Sequence, residues 1–359
     1  MKISFIIPFN SLTGGIKVVF THANNLVKRG HKVVIYCPFF PYLFGDKFYS
    51  ARGTIRLFKG LARSLIRRNN VKWFNLDAQL KIIPYVSDDF IEDSDVVIAT
   101  AWPTAYSVYS LSEAKGKKIY FIQDYEIWSG PEEMVNNSYR LELNRIVVAP
   151  HLKELLEQKF GVGVVGVVPN GVDSVFYYES EKKFNQPRKI LMLYHRDSRK
   201  GVKEGIDAIR IVRQKYSDIE VIMFSVRSPR RGELPSFVRF YKGLYGVKLA
   251  ELYKSADIFI SPSLSEGWHS PSMEEMAARC AVVATSVGSM KYIGIPNETA
   301  MICQPGDVNC LAESIIKLLE DEELLRKLSN NGYNIVRKFF WDKSTEIFEQ
   351  ILKKLTNDK

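Results

Sequence analysis

Cysteine is scarce, with four residues in 359 (Cys37, Cys280, Cys303 and Cys310) and no pair at zinc-finger spacing. That pattern excludes a zinc module, reads Cys303 and Cys310 as two buried thiols rather than a bridge, and suggests a reducing cytoplasm. No run of about 18 apolar residues exists, so no membrane-spanning helix is expected. The opening Met1-Lys-Ile-Ser-Phe-Ile-Ile-Pro8 is too short, and too soon broken by Pro8, for a secretory signal, and it reads as a buried strand. Acidic residues are in deficit, 40 against 50 basic, which leaves a net charge of +10. An anionic partner is implied. Without a zinc finger, basic zipper or RNA-binding signature, a nucleotide or phospholipid fits better than nucleic acid.

What is present is apolar substance in regular order. Hydrophobic residues make up 46% of the chain and aromatics 12%, a composition that packs rather than staying disordered. The length suits two α/β domains. Residues 3 to 8 read as a strand, followed by Gly14-Gly15, an apolar-spaced helix to Gly30 and a second strand from Lys32 to Cys37. Further strands fit 95 to 100, 118 to 122, 145 to 149 and 164 to 168. Pro169-Asn-Gly-Val-Asp173 then opens a weakly structured stretch, read as the inter-domain linker. Alternation resumes with strands at 189 to 194, 220 to 225, 257 to 261 and 281 to 285, and helices at 202 to 216, 248 to 255 and 307 to 320. The fold class is α/β, two Rossmann-like doubly wound domains whose ligands bind at the carboxyl ends of the strands, facing a central cleft.

Chemistry concentrates at Ser265-Glu266-Gly267-Trp268-His269-Ser270-Pro271-Ser-Met-Glu274, between a buried strand and a helix that Ser270 would cap and Pro271 would open. A helix start offers free N–H groups and a positive dipole end, a seat for phosphate. Carboxylates beside it would repel the anion, so Glu266 and Glu274 are better explained as acceptors for neutral hydroxyls. Phosphates between hydroxylated rings describe a nucleotide sugar. The plainer alternative is that Glu274 complements the helix dipole and Glu266 is a solvated loop residue.

The span Leu249-Ala-Glu-Leu-Tyr-Lys-Ser-Ala-Asp-Ile-Phe-Ile-Ser-Pro-Ser-Leu-Ser-Glu266-Gly267, continuing through Glu274 and Met276-Ala277, resembles glycosyltransferase family 4 of the retaining, two-Rossmann-domain (GT-B) type. Gly14-Gly15, Lys28-Arg-Gly-His31, Pro169-Asn-Gly-Val-Asp173 and Arg199-Lys200-Gly201 support it in the family's order. The resemblance implies that Glu274 holds the nucleotide ribose and Glu266 a hydroxyl of the transferred sugar. Arg196 and Lys200 would hold the diphosphate, with Arg199 able to replace Arg196. Backbone N–H groups of Gly267, Trp268, His269 and Ser270 would meet the sugar and phosphate, and Gly14 and Gly15 would let the N-terminal loop close over them. No acidic metal site is recognisable, and the cations would make a metal or other cofactor dispensable. Trp268-His269 departs from the usual Phe-Gly, so His269 is expected to point toward the diphosphate or sugar. Gln123-Asp124-Tyr125-Glu126 resembles rhamnosyltransferases of surface-polysaccharide assembly and would put Asp124 on the acceptor side. Its plainer alternative is Asp124 as a local cap.

The expected domains are 1–170, binding the acceptor, and 171–340, binding the nucleotide sugar, with the helix 341–359 crossing back onto the first. The expected activity moves a sugar from a nucleoside-diphosphate sugar, with retention, to a glycan or lipid-linked acceptor. A nucleotide-sugar epimerase of the same fold, or a silent nucleotide-sugar- or membrane-binding protein, are the alternatives. Residues 52 to 72 put Phe58, Leu61, Ala62, Leu65 and Ile66 on one helical face and Arg56, Lys59, Arg63, Arg67 and Arg68 on the others. Such a helix can lie on an anionic membrane surface, or pack on the first sheet. With it comes an expected location in the cytoplasm, peripheral on the inner face of the cell membrane.

Overall fold

A computed structural model describes residues 1–39, 42, 71 and 73–357. Apart from residue 71, the basic amphipathic segment at 52 to 72 lies outside them. The chain divides into two compact units, unit 1 comprising Met1–Asn170 with Trp341–Lys359 and unit 2 Gly171–Phe340.

Unit 1 contains, among the described residues, β1 (Lys2–Ile6), α1 (Gly14–Lys28), β2 (Lys32–Pro38), β3 (Gln79–Ile83), β4 (Val96–Ala99), α2 (Trp102–Tyr109), β5 (Lys117–Ile122), α3 (Glu132–Ser138), β6 (Asn144–Val147), α4 (Pro150–Phe160) and β7 (Gly166–Val167). Its strands form one parallel sheet in the order β3-β2-β1-β4-β5-β6-β7. Central strands read as continuous apolar runs, such as the wholly buried Val96-Val-Ile-Ala99, because a parallel sheet is covered on both faces. The order reverses between β1 and β4, so the loops leaving those strands diverge.

Unit 2 repeats the plan with β8 (Lys189–Leu193), α5 (Val202–Lys215), β9 (Glu220–Ser225), β10 (Val238–Lys242), α6 (Val247–Ser255), β11 (Ile258–Ser261), α7 (Ser270–Ala277), β12 (Ala281–Thr285), α8 (Met290–Ile293), β13 (Met301–Cys303), α9 (Val308–Glu320) and α10 (Glu322–Val336). The parallel order is β10-β9-β8-β11-β12-β13. Side chains alternate along each strand. Ile190, Met192, Ile258 and Ile260 meet Ile209 of α5 and Leu311 and Ile315 of α9 on one face. Leu191, Phe259 and Val282 meet Tyr253 of α6 and Met273 and Met276 of α7 on the other. Fully burying one such large side chain contributes roughly 1.5–3 kcal/mol.

The last helix, α11 (Trp341–Asn357), belongs to unit 1. Phe348 sits between the rings of Phe121 (5.1 Å) and His22 (5.0 Å), and Thr345 Oγ1 bonds His22 Nδ1 at 3.0 Å. Glu349 fastens the helix further, accepting from Arg29 at 3.2 Å and His31 at 2.9 Å, and it also pairs with Lys353 of its own helix at 2.6 Å.

The units part between Asn170 and Gly171, inside the expected Pro169–Asp173 linker, but the stretch that follows is not loose, since Phe176 and Tyr177 are buried in the core of unit 2. One expectation fails here. Cys303 and Cys310 are bridged, not free thiols. The turn from Gln304 to Asp307 folds the first turn of α9 back on β13 and brings their Cα atoms to 5.8 Å. Among the described residues, no helix is long and apolar enough to cross a membrane.

Candidate functional site

In unit 2 the strand order reverses between β8 and β11, which opens a crevice at their carboxyl ends. The loop after β8 ends in a single 3₁₀ turn, Ser198–Lys200, which Asp197 caps by accepting from the Arg199 N–H at 3.0 Å. Gly201 closes that turn at φ +60, where an added Cβ would collide with the Pro262 carbonyl, so glycine is required by both conformation and space. The Leu264 N–H donates to the Arg199 carbonyl at 2.6 Å, stitching the two loops together. Lys200 is thereby carried against Glu266.

The contact is bidentate. Lys200 Nζ reaches both Glu266 oxygens at 2.7 Å, and Ser263 Oγ donates to Oε1 at 2.9 Å. Burial opposes ionisation of Glu266, but His269, the Lys200 ammonium and the Ser263 hydroxyl outweigh it and hold the carboxyl below its usual range. Each carboxylate oxygen offers about two acceptor sites, so Oε2, engaged by Lys200, keeps one for a ligand hydroxyl. Glu274 lies on α7, buried, with the Tyr253 hydroxyl donating to its Oε2 at 3.2 Å.

The start of α7 differs from expectation. Its cap is His269, not Ser270: His269 Nδ1 accepts the Ser272 N–H at 3.2 Å, and the Ser270 N–H turns back to the Trp268 carbonyl at 3.2 Å. Pro271 has no N–H to offer. The helix start is therefore closed. The N–H groups of Gly267, Trp268 and His269 have no backbone partner among the described residues, which moves the open donors into the loop just before the helix. The His269 ring meets Ser272 Oγ (2.7 Å) and Ser261 Oγ (3.3 Å), its Nε2 lies 3.6 Å from Glu266 Oε1, and burial pushes its pKa down to about 4, so it is neutral at pH 7. Trp268 is partly buried against the core, 6.0 Å from the Phe339 ring, and its indole N–H has no partner among the described residues.

The other proposed cations do not join Lys200. Arg196 donates to the Ser228 carbonyl at 2.9 Å, and Arg199 folds onto Asp197 at 2.8 Å. In unit 1, Gly14 and Gly15 open α1, with Thr13 as the cap. A Cβ on Gly15 would stand 3.4 Å from Gln123 Oε1, whereas Gly14 faces open space. Asp124 is a local anchor: its oxygens accept the Tyr125 N–H at 2.9 Å and the Trp128 indole N–H at 3.1 Å.

Sequence reasoning missed three supports. Tyr253 could have been found as a hydroxyl on the buried stripe of α6. Ser263 stood in the quoted motif without a role. Gly288, at φ +56, has Glu266 Cβ 2.8 Å from where its own Cβ would be, and a glycine just after β12 was the available signal.

Residues 176–335, within unit 2, match the family described as glycosyl transferases group 1. The MMP alpha-(1->4)-mannosyltransferase of Mycolicibacterium hassiacum is 29% identical over 186 residues, 49% of this chain and 44% of that protein. The phosphatidyl-myo-inositol mannosyltransferase of Mycobacterium leprae is 25% identical over 210 residues, 55% and 56% of the two chains. The chain thus spans about half the length of the curated relatives it matches. Among solved structures, Anabaena HepE in complex with UDP-glucose superposes with a TM-score of 0.72 at 16% identity, over 99% of this chain and 100% of that one. The two parallel sheets have the GT-B fold, and within unit 2 residues 176–335 are similar to the group 1 glycosyl transferases.

Proposed function

We propose that the protein is a metal-independent glycosyltransferase of family 4, moving a sugar with retention from a nucleoside-diphosphate donor bound by unit 2 to a glycan or lipid-linked acceptor bound by unit 1. The observation that carries this reading is the Lys200–Glu266 pair at the β8/β11 reversal, with Glu274 on the adjoining helix. Glu274, held by Tyr253, would accept the ribose hydroxyls. Glu266 would accept a sugar hydroxyl at Oε2, and Lys200, with two of its three protons given to Glu266, would turn the third to the diphosphate.

Breaking the sugar–phosphate bond leaves negative charge on the departing diphosphate. A fixed ammonium and oriented N–H groups stabilise that charge without rearranging. In this reading the donors are Lys200 and the loop Gly267–His269, not the first turn of α7. Glu266 is already bound on both oxygens and is ill suited as a nucleophile, so retention is assigned to attack guided by the leaving phosphate. Arg196 and Arg199 are surface cations that would reach the diphosphate only by leaving their present partners.

The mannosyltransferase relatives and the rhamnosyltransferase-like Gln123-Asp-Tyr-Glu126 both favour a mannose-type hexose or its 6-deoxy counterpart, and surface glycan assembly as the setting. A peripheral position on the inner membrane face, through the basic segment at 52 to 72, would bring the enzyme to a lipid-linked acceptor. The test is ¹H NMR of nucleotide sugars incubated with enzyme in excess EDTA. The α-anomer of an α-donor should be released or transferred, and Glu274→Ala should abolish this. An inverted product would reject the mechanism. A strict metal requirement would reject the assignment to Lys200.

A further inference from the structure

The Cys303–Cys310 bridge fastens a strand end on which the site in unit 2 leans. Cys303 closes β13, the edge strand of its sheet, which pairs with β12 only through Met301, Ile302 and Cys303. So short an edge strand opens from its end at little cost in free energy. The bridge ties that end to the first turn of α9, whose Leu311 and Ile315 are fully buried.

From Cys303, contacts lead to Glu266 through Thr285 and through Ser286. Thr285 is the register partner of Cys303 and is fully buried. Its hydroxyl donates to the Ser263 carbonyl, and the Ser263 hydroxyl donates to Glu266 Oε1 at 2.9 Å. The Ser286 N–H donates to the Cys303 carbonyl at 3.0 Å and so fixes where residues 286 to 289 turn. That turn is pressed against the site. A Cβ on Gly288 would stand 2.8 Å from Glu266 Cβ and 3.1 Å from the His269 nitrogen, and Ser289 Oγ donates to the His269 carbonyl at 3.3 Å.

A reductant's access runs through Cys310. Residues 304 to 307 are exposed and Cys310 is half-buried, whereas Cys303 is buried. The other two cysteines, Cys37 and Cys280, are buried thiols whose pKa values burial pushes up, so neither supplies a competing thiolate. The location expected from the sequence is the cytoplasm, where a disulfide commonly senses redox state rather than stapling a fold.

We propose that the Cys303–Cys310 bridge is a redox-sensitive clamp on donor binding, holding Glu266 and the loop 267 to 269 in place when closed and slackening them when a dithiol opens it. This rests on the transferase reading of the site. In the opening step a thiolate of the dithiol attacks Cys310 Sγ, the bridge breaks, and Cys303 leaves as a thiolate that takes a proton. The second thiolate of the dithiol then displaces Cys310, which takes the other proton, and two electrons have passed from the dithiol to the bridge.

The full chain is compared after oxidised glutathione, after dithiothreitol, and as Cys310→Ser. Hydrogen exchange and calorimetric titration with UDP-glucose and GDP-mannose are measured on each. Amides of residues 286 to 289 should exchange about tenfold faster in the reduced chain and in Cys310→Ser, with those of β11 unchanged. Whichever nucleotide sugar binds should be held about fivefold more weakly in both, and reoxidation should restore wild type but not Cys310→Ser. Equal exchange at 286 to 289, or equal affinity, in oxidised and reduced wild type overturns the proposal. So does a bridge that fails to form in oxidised glutathione or to open in dithiothreitol while the chain is folded. Faster exchange in β11 as well would make the bridge a staple of the whole unit and overturn it too. If neither nucleotide sugar binds in any state, the donor reading falls and the exchange at 286 to 289 alone decides whether the clamp exists.

Discussion

Replacing Lys200 with methionine separates what the Lys200–Glu266 pair does for the fold from what it does for chemistry. The Lys200 side chain is 23% exposed and that of Glu266 7%, so removing the ammonium leaves an ionised carboxylate largely out of water. Breaking a fully buried pair costs about 3–5 kcal/mol; the partial exposure of Lys200 and the remaining Ser263 donor lower the expectation to about 2–3 kcal/mol. For a unit of this size that is roughly 5–10 °C of melting temperature. The double variant Lys200→Met/Glu266→Gln removes the stranded charge and should recover most of the loss, a coupling of about 2 kcal/mol. Activity should not recover. Losing a fixed donor to the departing diphosphate costs about 10²–10³ in kcat, and both Lys200 variants should show it. Calorimetry of the four-member cycle, with donor turnover on the same samples, supplies both readings. A coupling below about 0.5 kcal/mol, or kcat within threefold of wild type for Lys200→Met, would refute the argument.

Gly201→Ala should reduce kcat/KM at least 100-fold and lower stability by several kcal/mol, since the αL backbone alone costs about 1–2 kcal/mol and the Cβ forces Pro262 away; donor kinetics and a melting curve check it. Glu349→Ala should cost about 2 kcal/mol at pH 7 after discounting its exposed partners. Its carboxyl is held down to about 2 from an ordinary 4.5, chiefly by Lys353, so the contribution is whole above pH 4.5 and fades as pH falls through 2. Acid melts of wild type and variant should converge there, and parallel curves would contradict the assignment. Glu275 is fully buried, its carboxylate oxygens meet no hydrogen-bond partner among the described residues beyond the Cys280 thiol, and burial pushes it up to about 8 from 4.5. Folding therefore favours its protonated form, and stability falls as pH rises from 4.5 to 8. Glu275→Gln should be more stable than wild type by a few kcal/mol at pH 9 and nearly equal at pH 5, as measured by denaturant melts at both pH values.

Most of the fold was legible because both sheets are parallel and covered on both faces, so central strands such as Val96–Ala99 and Ile258–Ser261 show as bare apolar runs. The edge strands β3 and β10 escaped. Gln79–Ile83 and Val238–Lys242 are half-solvated and mix charge with apolar residues, which is how an edge must read. In the site, Glu266 and Lys200 were legible as residue types, but their mutual contact was not. It depends on Gly201 letting two loops touch across 66 residues of sequence. The cap at His269 was illegible because it is decided by a three-dimensional fact, the Ser272 N–H arriving at Nδ1. The contacts of Asp124 were illegible for the same reason, since they depend on the Tyr125 N–H and the Trp128 indole arriving at its oxygens. The Cys303–Cys310 bridge was illegible because a spacing of seven is neutral until the turn at Gln304–Asp307 reverses the chain.

The central claim is that Glu274, braced by Tyr253, grips the ribose of a nucleoside diphosphate in unit 2. Isothermal titration of wild type, Glu274→Gln and Tyr253→Phe with UDP, GDP, dTDP and ADP tests it most directly. The account predicts clear preference for one base, at least 30-fold weaker binding by Glu274→Gln, and a smaller loss, about three- to tenfold, in Tyr253→Phe. Equal affinity for that nucleotide in wild type and Glu274→Gln, or no affinity for any of the four, would contradict it.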